Sequence, residues 1–207
     1  MTGAPDYWVR AKRELARRDP VLAAIIRDHP RHVLTRRGDA FFTLARSITG
    51  QQLSVRAAQR IWDRLSDLSG QVTPERIAAL DAASLRACGL SERKTQYLQA
   101  LCRHFVDGSL SVMQWASWED EAIISELVQI RGVGRWTAEM FLMFHLLRPD
   151  VLPLGDLGLQ NAMQKHYAVG RKLSERRIGI ITRNWHPWCT VATWYLWRSL
   201  EPVPVEY

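Results

Sequence analysis

The chain of 207 residues is poor in cysteine, with three thiols at Cys88, Cys102 and Cys189. Three scattered cysteines cannot form the disulfide framework of a small secreted protein, and they fit a reducing, intracellular compartment. Long apolar runs are also missing, because the longest, 21–26 and the stretch 140–147 that His145 interrupts, fall far below the roughly 20 residues that a membrane helix needs. The first ten residues lack the apolar segment of a secretory signal. These absences predict a cytoplasmic protein that does not contact a membrane.

Lysine is scarce as well, since only four of the 28 basic residues are lysines. The net charge of +7 and the pI near 9.8 favour a polyanionic partner such as nucleic acid. A GC-rich coding bias would produce the same arginine excess without any function, so both explanations stay open. The excess positive charge lies in residues 1–38 and 148–207, whereas 39–147 carry 11 basic and 12 acidic residues.

Helical periodicity runs through almost the whole chain. With 47% hydrophobic and 24% charged residues, the chain can bury a core. Apolar residues recur at helical spacing, as at Phe41, Leu44 and Ile48, and the alternation typical of strands is absent. Thr73 and Ser91 have the residue type and position of helix N-caps. The pattern predicts an all-α protein of about ten helices joined by short turns.

The segment around residue 132 has the pattern of two helices joined by a glycine-containing loop. The first helix is expected to end at Ile130 and the second to begin near Gly134. Glycines let the main chain approach a ligand closely, and the free N–H groups at the start of a helix bind anions such as a DNA phosphate. An ordinary tight turn is the alternative, although Arg131 and Arg135 beside the glycines weigh against it. Carbonyl groups at the end of the first helix could also hold a monovalent cation.

Four motifs resemble the DNA glycosylase superfamily. Residues 127–147 resemble its helix-hairpin-helix, and residues 152–159, LPLGDLGL, resemble the loop that carries its essential aspartate. Residues 45–55, ARSITGQQLSV, and the WHPW segment at 185–188 are similar to the DNA-3-methyladenine glycosylase II branch. The resemblance implies an all-α, two-lobed fold. One lobe would be 40–147, the other 1–39 plus 148–207, with the active-site cleft between the lobes.

The chain departs from this family at two positions. Arg131 stands where the hairpin usually has proline, which should leave phosphate binding intact. Cys189 stands where the family commonly has arginine. Whether this second change affects the substrate range or only the packing stays open.

Asp156 is the residue that the resemblance implies for catalysis. An alkylated purine already carries positive charge and leaves without being protonated, so one ionised carboxylate that stabilises the sugar cation is sufficient. Asp156 also has the position of an N-cap for the apolar series that follows. The two roles are compatible, because a helix N-terminus helps to keep a carboxylate ionised.

Enzymes of this family move the damaged base out of the DNA base stack and fill the gap that the base leaves. By resemblance, Gln51, Gln52 and Leu53 supply the plug, with Gln52 as the first choice. A structural alternative for Gln52 is the start of a helix capped by Ser54. The DNA-binding residues of the hairpin would be Arg131, Gly132, Val133, Gly134, Arg135 and Thr137.

Trp136 stands where family members that also cut the DNA strand place a lysine. Tryptophan cannot form a Schiff base, so the resemblance implies a monofunctional enzyme that leaves an abasic site. Three distant cysteines cannot ligate an iron–sulfur cluster, and no cofactor is expected for catalysis. The one expected ion is sodium or potassium at the backbone carbonyls of Val128, Ile130 and Val133.

Nine tryptophans offer rings that would bind a cationic base through cation–π contact. The predicted base pocket contains Trp136, Trp185 and Met140, whereas Trp194 and Trp197 have the spacing of packing residues. The six histidines show no spacing typical of metal ligands.

The predicted function is therefore excision of 3-methyladenine and 7-methylguanine from double-stranded DNA by a monomer, associated with the nucleoid if the host is bacterial. Two alternatives stay open. A helix-hairpin-helix module that binds DNA without catalysis would have no use for Asp156. A glycosylase for a neutral base would need a proton donor, and the sequence offers no clear candidate.

Overall fold

A computed structural model describes residues 3–168 and 172–200 of the chain, and no strand occurs in these ranges. The predicted all-α class is confirmed for them. None of the helices within them is long and apolar enough to cross a bilayer. The chain packs into two compact units. One, here called the end unit, joins the described residues up to Arg36 with those from Leu142 to Leu200, and the other, the middle unit, comprises 37–141.

The middle unit contains short and medium helices. They are α3 (Ala40–Gly50), α4 (Val55–Ser69), α5 (Pro74–Ala78), α6 (Ala82–Ala87), α7 (Glu92–Val106), a 3₁₀ turn (Trp115–Ser117), α8 (Asp120–Leu127) and α9 (Arg135–Phe144). Helices α3 to α7 each begin at a side-chain cap. The predicted caps Thr73 and Ser91 are confirmed, since the side chain of each accepts a hydrogen bond from a backbone N–H three residues later. Ser54, which the alternative for Gln52 names as a cap, accepts in the same way. Their positions determine where α4, α5 and α7 begin.

The core of the middle unit lies where α3 and α5 pack on α7. Leu44 and Ile48 of α3 are fully buried, as their helical spacing predicts, and Leu98 and Leu101 of α7 are buried with them. Leu53 differs, because it lies in the turn between α3 and α4 and is 40% exposed. The turn interrupts the helical periodicity there and leaves residues 52–54 exposed.

The end unit is built around one fully buried helix. Its helices are α1 (Trp8–Arg18), α2 (Pro20–Asp28), α10 (Leu157–Tyr167), α11 (Glu175–Arg183) and α12 (Cys189–Arg198). Every residue of α12 is buried, and this helix packs on α1, α2 and α10. Trp194 and Trp197 of α12 are core residues, which confirms the packing role that their spacing predicts.

The limits of the two units differ slightly from the predicted lobes. The predicted limits are 40 and 147, whereas the structure places 37–39 in the middle unit and 142–147 in the end unit. The second limit falls within α9. That either unit is an independent domain stays a prediction, and so does the position of the cleft.

Candidate functional site

The loop between α8 and α9 has the predicted hairpin form. Ile123, Ile124 and Leu127 bury one face of α8. The helix proper ends at Leu127, earlier than the predicted Ile130, because residues 128–130 continue as a turn in which Ile130 N–H donates to Leu127 O at 3.1 Å. The second helix, α9, begins at Arg135, beside the predicted Gly134. The N-terminus of α9 is therefore presented by a short loop from 131 to 134.

Gly132 has a conformation and surroundings that only glycine fits. Its φ is +95°, a region that side chains disfavour. A Cβ atom there would lie 2.1 Å from Cγ of Tyr97 in α7. Gly134, by contrast, has no neighbouring atom within 4 Å of the position that a Cβ would occupy. The loop thus packs tightly on Tyr97 at Gly132 and leaves the backbone open at Gly134.

Gln51 lies against the hairpin. Its side-chain Nε2 donates to Gly132 O at 3.0 Å and to Thr137 Oγ1 at 3.3 Å. The backbone carbonyl of Gln51 accepts from Lys94 Nζ at 2.6 Å, and the same ammonium group donates to the backbone carbonyl of Thr49 at 2.8 Å. Gln51 and Lys94 therefore hold the end of α3, the start of α7 and the hairpin together, a positioning role that the sequence does not indicate.

Gln52 and Leu53 are the exposed members of the predicted plug. Gln52 has a φ of +57°, a left-handed conformation that costs a residue with a side chain about 1 kcal/mol or more. Ser54 caps α4, so the structural alternative for this segment is also present. The turn holds Gln52 in a strained conformation with its side chain in solvent.

A cavity of about 430 Å³ lies beside the hairpin within the middle unit. It brings together six of the predicted DNA-binding residues, namely Gln51, Gln52, Arg131, Gly132, Val133 and Gly134. Ser91, Arg93, Lys94 and Tyr97 of the α7 start also line it. Sequence reasoning assigned Ser91 to helix capping and missed this location, because nothing local relates α7 to the hairpin.

Two groups of the hairpin are already engaged within the protein. Arg135 pairs with Glu121 at 2.5 Å and with Glu139 at 3.1 Å, so its charge is compensated by two carboxylates. The Val133 N–H donates to Ile130 O at 3.0 Å. Arg131 is exposed, and within the part of the chain that the structure describes it has no carboxylate partner.

The predicted cation site fits the residues present. Val128, Ile130 and Val133 all border the cavity beside the hairpin. The Ile130 carbonyl accepts one hydrogen bond from Val133, and a carbonyl oxygen has a second lone pair. A monovalent ion at these carbonyls stays a prediction.

Asp156 is buried in the end unit, at the start of α10, with 7% of its surface exposed. It is the N-cap of that helix, as predicted, and its Oδ1 accepts from Leu159 N at 2.6 Å. The same oxygen accepts from the indole Nε1 of Trp197 at 2.8 Å. A Cβ at Gly158 would lie about 3.2 Å from the Trp197 ring, so the glycine gives the ring room beside the carboxylate.

The three predicted pocket residues have different surroundings. Trp136 is half-buried at the start of α9. Met140 is 1% exposed, and Trp185 is fully buried with its Nε1 donating to Asp19 Oδ2 at 3.0 Å. Met140 and Trp185 are therefore core residues in this structure, and a base could reach them only if their neighbours moved.

Comparison with known proteins finds a family model that matches most of the chain. The model of the HhH-GPD superfamily of base excision DNA repair proteins matches residues 45–187. DNA-3-methyladenine glycosylase 1 of Schizosaccharomyces pombe is 35% identical over 75% of this chain and 70% of its own length. The Bacillus subtilis protein YfjP is 34% identical over 87% of this chain. The chain spans 66% of YfjP, just under two thirds of that relative's length.

A solved structure agrees over nearly the whole chain. The 3-methyladenine DNA glycosylase Mag1 of Schizosaccharomyces pombe, in complex with abasic DNA, superposes with a TM-score of 0.84 at 29% sequence identity. The match covers 96% of this chain and 99% of the Mag1 chain. Similarity of this extent includes both the hairpin and the segment that carries Asp156.

Proposed function

Because this chain belongs to the HhH-GPD superfamily of base excision DNA repair proteins, we propose that it removes alkylated purines from double-stranded DNA. The reaction is hydrolysis of the N-glycosidic bond, with 3-methyladenine and 7-methylguanine as the first substrates. The relatives named for 3-methyladenine support this choice of base. The observation that carries the proposal is a buried aspartate fixed by two donors at the N-terminus of α10.

The chemistry assigned to Asp156 follows from its surroundings. N3 and N7 alkylation leave the purine cationic, so the bond can break without a general acid while positive charge develops on the sugar. An ionised carboxylate stabilises that charge, and it does so best when its orientation is fixed beforehand. The Leu159 N–H and the Trp197 indole supply this fixed orientation. Asp156 would stabilise the sugar cation and orient the attacking water.

Cleavage of the DNA strand is not part of the proposal. A lyase step needs an amine that attacks the sugar carbon, and position 136 holds tryptophan. The product is then an abasic site. The half-buried ring of Trp136 is suited to contact with a cationic base.

DNA would be held at the hairpin by one of its phosphates. The first N–H groups of α9 have no partner within the helix and carry its positive dipole end, which favours an anion. The open backbone at Gly134 lets a phosphate approach closely, and the exposed Arg131 adds a charge. A sodium or potassium ion at the neighbouring carbonyls would strengthen the same contact. Gln52 and Leu53 are exposed in the turn between α3 and α4, and they would fill the gap left by the flipped base.

We further expect the protein to act as a monomer in the compartment that holds the genome. Base flipping requires one active site and one duplex, so the proposed reaction needs no second subunit.

The test is an Asp156→Asn variant assayed on methylated duplex DNA, with free bases measured by mass spectrometry. Asparagine can still cap α10, so we expect the fold and DNA binding to persist while base release falls by about 10²-fold or more. Asp81→Asn is the matched control, since Asp81 caps α6 in the same way through Ser84 N at 2.7 Å.

Unchanged base release by Asp156→Asn would contradict the proposed role. A wild-type protein that binds DNA and releases no base from a panel of lesions would instead indicate a DNA-binding module. Release of hypoxanthine in preference to 3-methyladenine would shift the substrate class to neutral bases.

A further inference from the structure

A thiol, an imidazole and a carboxylate converge in the end unit, in residues that the proposed reaction does not use. Cys189 is the first residue of α12, His186 lies three positions before it, and Asp150 comes from the loop that precedes Asp156. One ligand atom from each residue lies within 4.8 Å of the other two.

The distances within this cluster are close to those of a metal-binding site. Tetrahedral zinc binds sulfur at about 2.3 Å and nitrogen at about 2.0 Å, which places these two ligands roughly 3.5 Å apart. Cys189 Sγ and His186 Nδ1 are 3.5 Å apart. His186 Nδ1 and Asp150 Oδ2 are 2.8 Å apart, a hydrogen-bond distance that would open by about 0.5 Å around an ion. Small side-chain shifts would therefore complete the site.

The backbone around the cluster is fixed by hydrogen bonds. Asp150 Oδ1 accepts from Cys189 N at 3.2 Å. Thr190 Oγ1 donates to Arg148 O at 2.6 Å and accepts from Val151 N at 3.0 Å, so it joins the loop on both sides of Asp150 to α12. A site whose ligands are held in place before binding loses little entropy on binding.

The cluster is also accessible. The side chains of His186 and Asp150 are 52% and 34% exposed, whereas Cys189 is fully buried behind them. An ion could enter from solvent and keep a water molecule as its fourth ligand. Burial, together with the Asp150 carboxylate, raises the pKa of Cys189.

We propose that Cys189, His186 and Asp150 bind one divalent transition-metal ion of the zinc class. Sulfur, nitrogen and oxygen donors in one three-residue set are typical of Zn²⁺ and disfavour Mg²⁺ or Ca²⁺, which prefer oxygen alone. Binding releases the Cys189 proton to solvent and leaves a thiolate on the metal. The inference does not depend on the proposed base excision.

The ion would join two segments that lead to the proposed catalytic group. Asp150 precedes Asp156 by six residues, and α12 carries both Cys189 and Trp197. Metal binding is therefore expected to stabilise the loop that holds Asp156 against the helix that supplies its indole donor.

The experiment uses Co²⁺ as a spectroscopic probe of the purified, chelator-treated protein. We expect one equivalent to give visible bands of tetrahedral cobalt and a near-ultraviolet thiolate-to-cobalt band, both abolished when Zn²⁺ displaces it. Cys189→Ser should remove the thiolate band and weaken Co²⁺ binding at least tenfold. Zn²⁺ should raise the Tm of the wild type and leave that of Cys189→Ser unchanged.

Matched controls separate this site from other thiols and imidazoles. Cys88→Ser, at a buried thiol of the middle unit, and His104→Gln should keep the bands. A thiolate band that persists in Cys189→Ser, or a wild type that takes up no Co²⁺, would overturn the proposal. If Cys189→Ser fails to fold, Asp150→Asn and His186→Gln decide the question, because both side chains are partly exposed. Wild-type affinity in both of these variants would likewise overturn it.

Discussion

At the scale of single residues, one oxygen atom carries most of the proposed chemistry. Asp156 Oδ1 accepts both the Leu159 N–H and the Trp197 indole N–H. Hydrogen bonds to a charged group are worth about 1.5–3 kcal/mol, more than those between neutral groups. The indole therefore does two things, since it fills the core and also positions the carboxylate.

We expect Trp197→Phe to lower kcat for base release by about ten- to a hundred-fold, because it removes one hydrogen bond to a charged group. KM and the affinity for undamaged DNA should change little. Single-turnover release from methylated duplex DNA, with binding measured separately, checks this prediction.

Trp194→Phe is its control, since it removes the same volume from the same helix. Within the residues that the structure describes, the Trp194 Nε1 makes no hydrogen bond. Equal losses of kcat in the two variants would assign the effect to packing, and Trp197 would then have no positioning role.

At the scale of elements, the helix-hairpin-helix is held from outside its own sequence. Tyr97 of α7 packs against Gly132, and Gln51 at the end of α3 donates to the Gly132 carbonyl. The loop can therefore present the start of α9 in one conformation. The two glycines, equivalent in the sequence motif, have different roles because only Gly132 faces a neighbouring element.

Substitution of the two glycines should separate stability from DNA binding. Gly132→Ala forces a methyl group into the Tyr97 ring at a positive φ, so we expect it to lower the free energy of unfolding by more than about 1 kcal/mol. Gly134→Ala has room and should leave Tm nearly unchanged, yet weaken DNA binding because the methyl group obstructs the phosphate. Thermal unfolding and fluorescence anisotropy with a labelled duplex measure the two effects. Wild-type affinity in a folded Gly134→Ala protein would argue against the phosphate site.

At the scale of the whole molecule, the distribution of charge matters more than its total. The net charge is +7, while residues 39–147 are nearly neutral by composition. The hairpin lies in this near-neutral part. The pairing of Arg135 with two carboxylates reduces the positive charge of the hairpin further. The proposed phosphate contact there would depend on backbone N–H groups and Arg131, whereas the excess positive charge belongs to both chain ends.

Charge reversal tests whether the chain ends contact DNA. Arg176→Glu with Arg177→Glu, both exposed on α11, should weaken binding to all duplex sequences and reduce the slope of log Kd against log salt by about one per lost phosphate contact. The control is the double variant Arg60→Glu with Arg86→Glu. It changes the net charge by the same amount at two exposed residues of the middle unit. If the slope of log Kd against log salt is unchanged in the α11 variant, coding bias explains the arginine excess.

Recognition of the family from its motifs is confirmed by the match over residues 45–187. The motifs can be recognised in the sequence because they are local. A cap, a glycine loop or an aspartate before a helix acts on neighbours within a few residues. The plug shows the limit of this reasoning. Gln51 and Gln52 are adjacent in sequence, yet Gln51 is engaged with the hairpin and Gln52 is exposed. The direction of each side chain depends on what packs against the turn.

The candidate aspartate was identified by the resemblance of residues 152–159 to the family's loop. The sequence by itself determined the helical class, the caps that begin α4, α5, α7 and α10, and the hairpin. Each of these depends on spacing within about one or two helical turns, which the order of residues specifies directly. Only the tertiary structure decided which distant side chains meet. Trp197 lies 41 residues from Asp156, Gln51 lies 81 from Gly132 and His186 lies 36 from Asp150. Such pairs form when whole helices pack, and no local pattern encodes them.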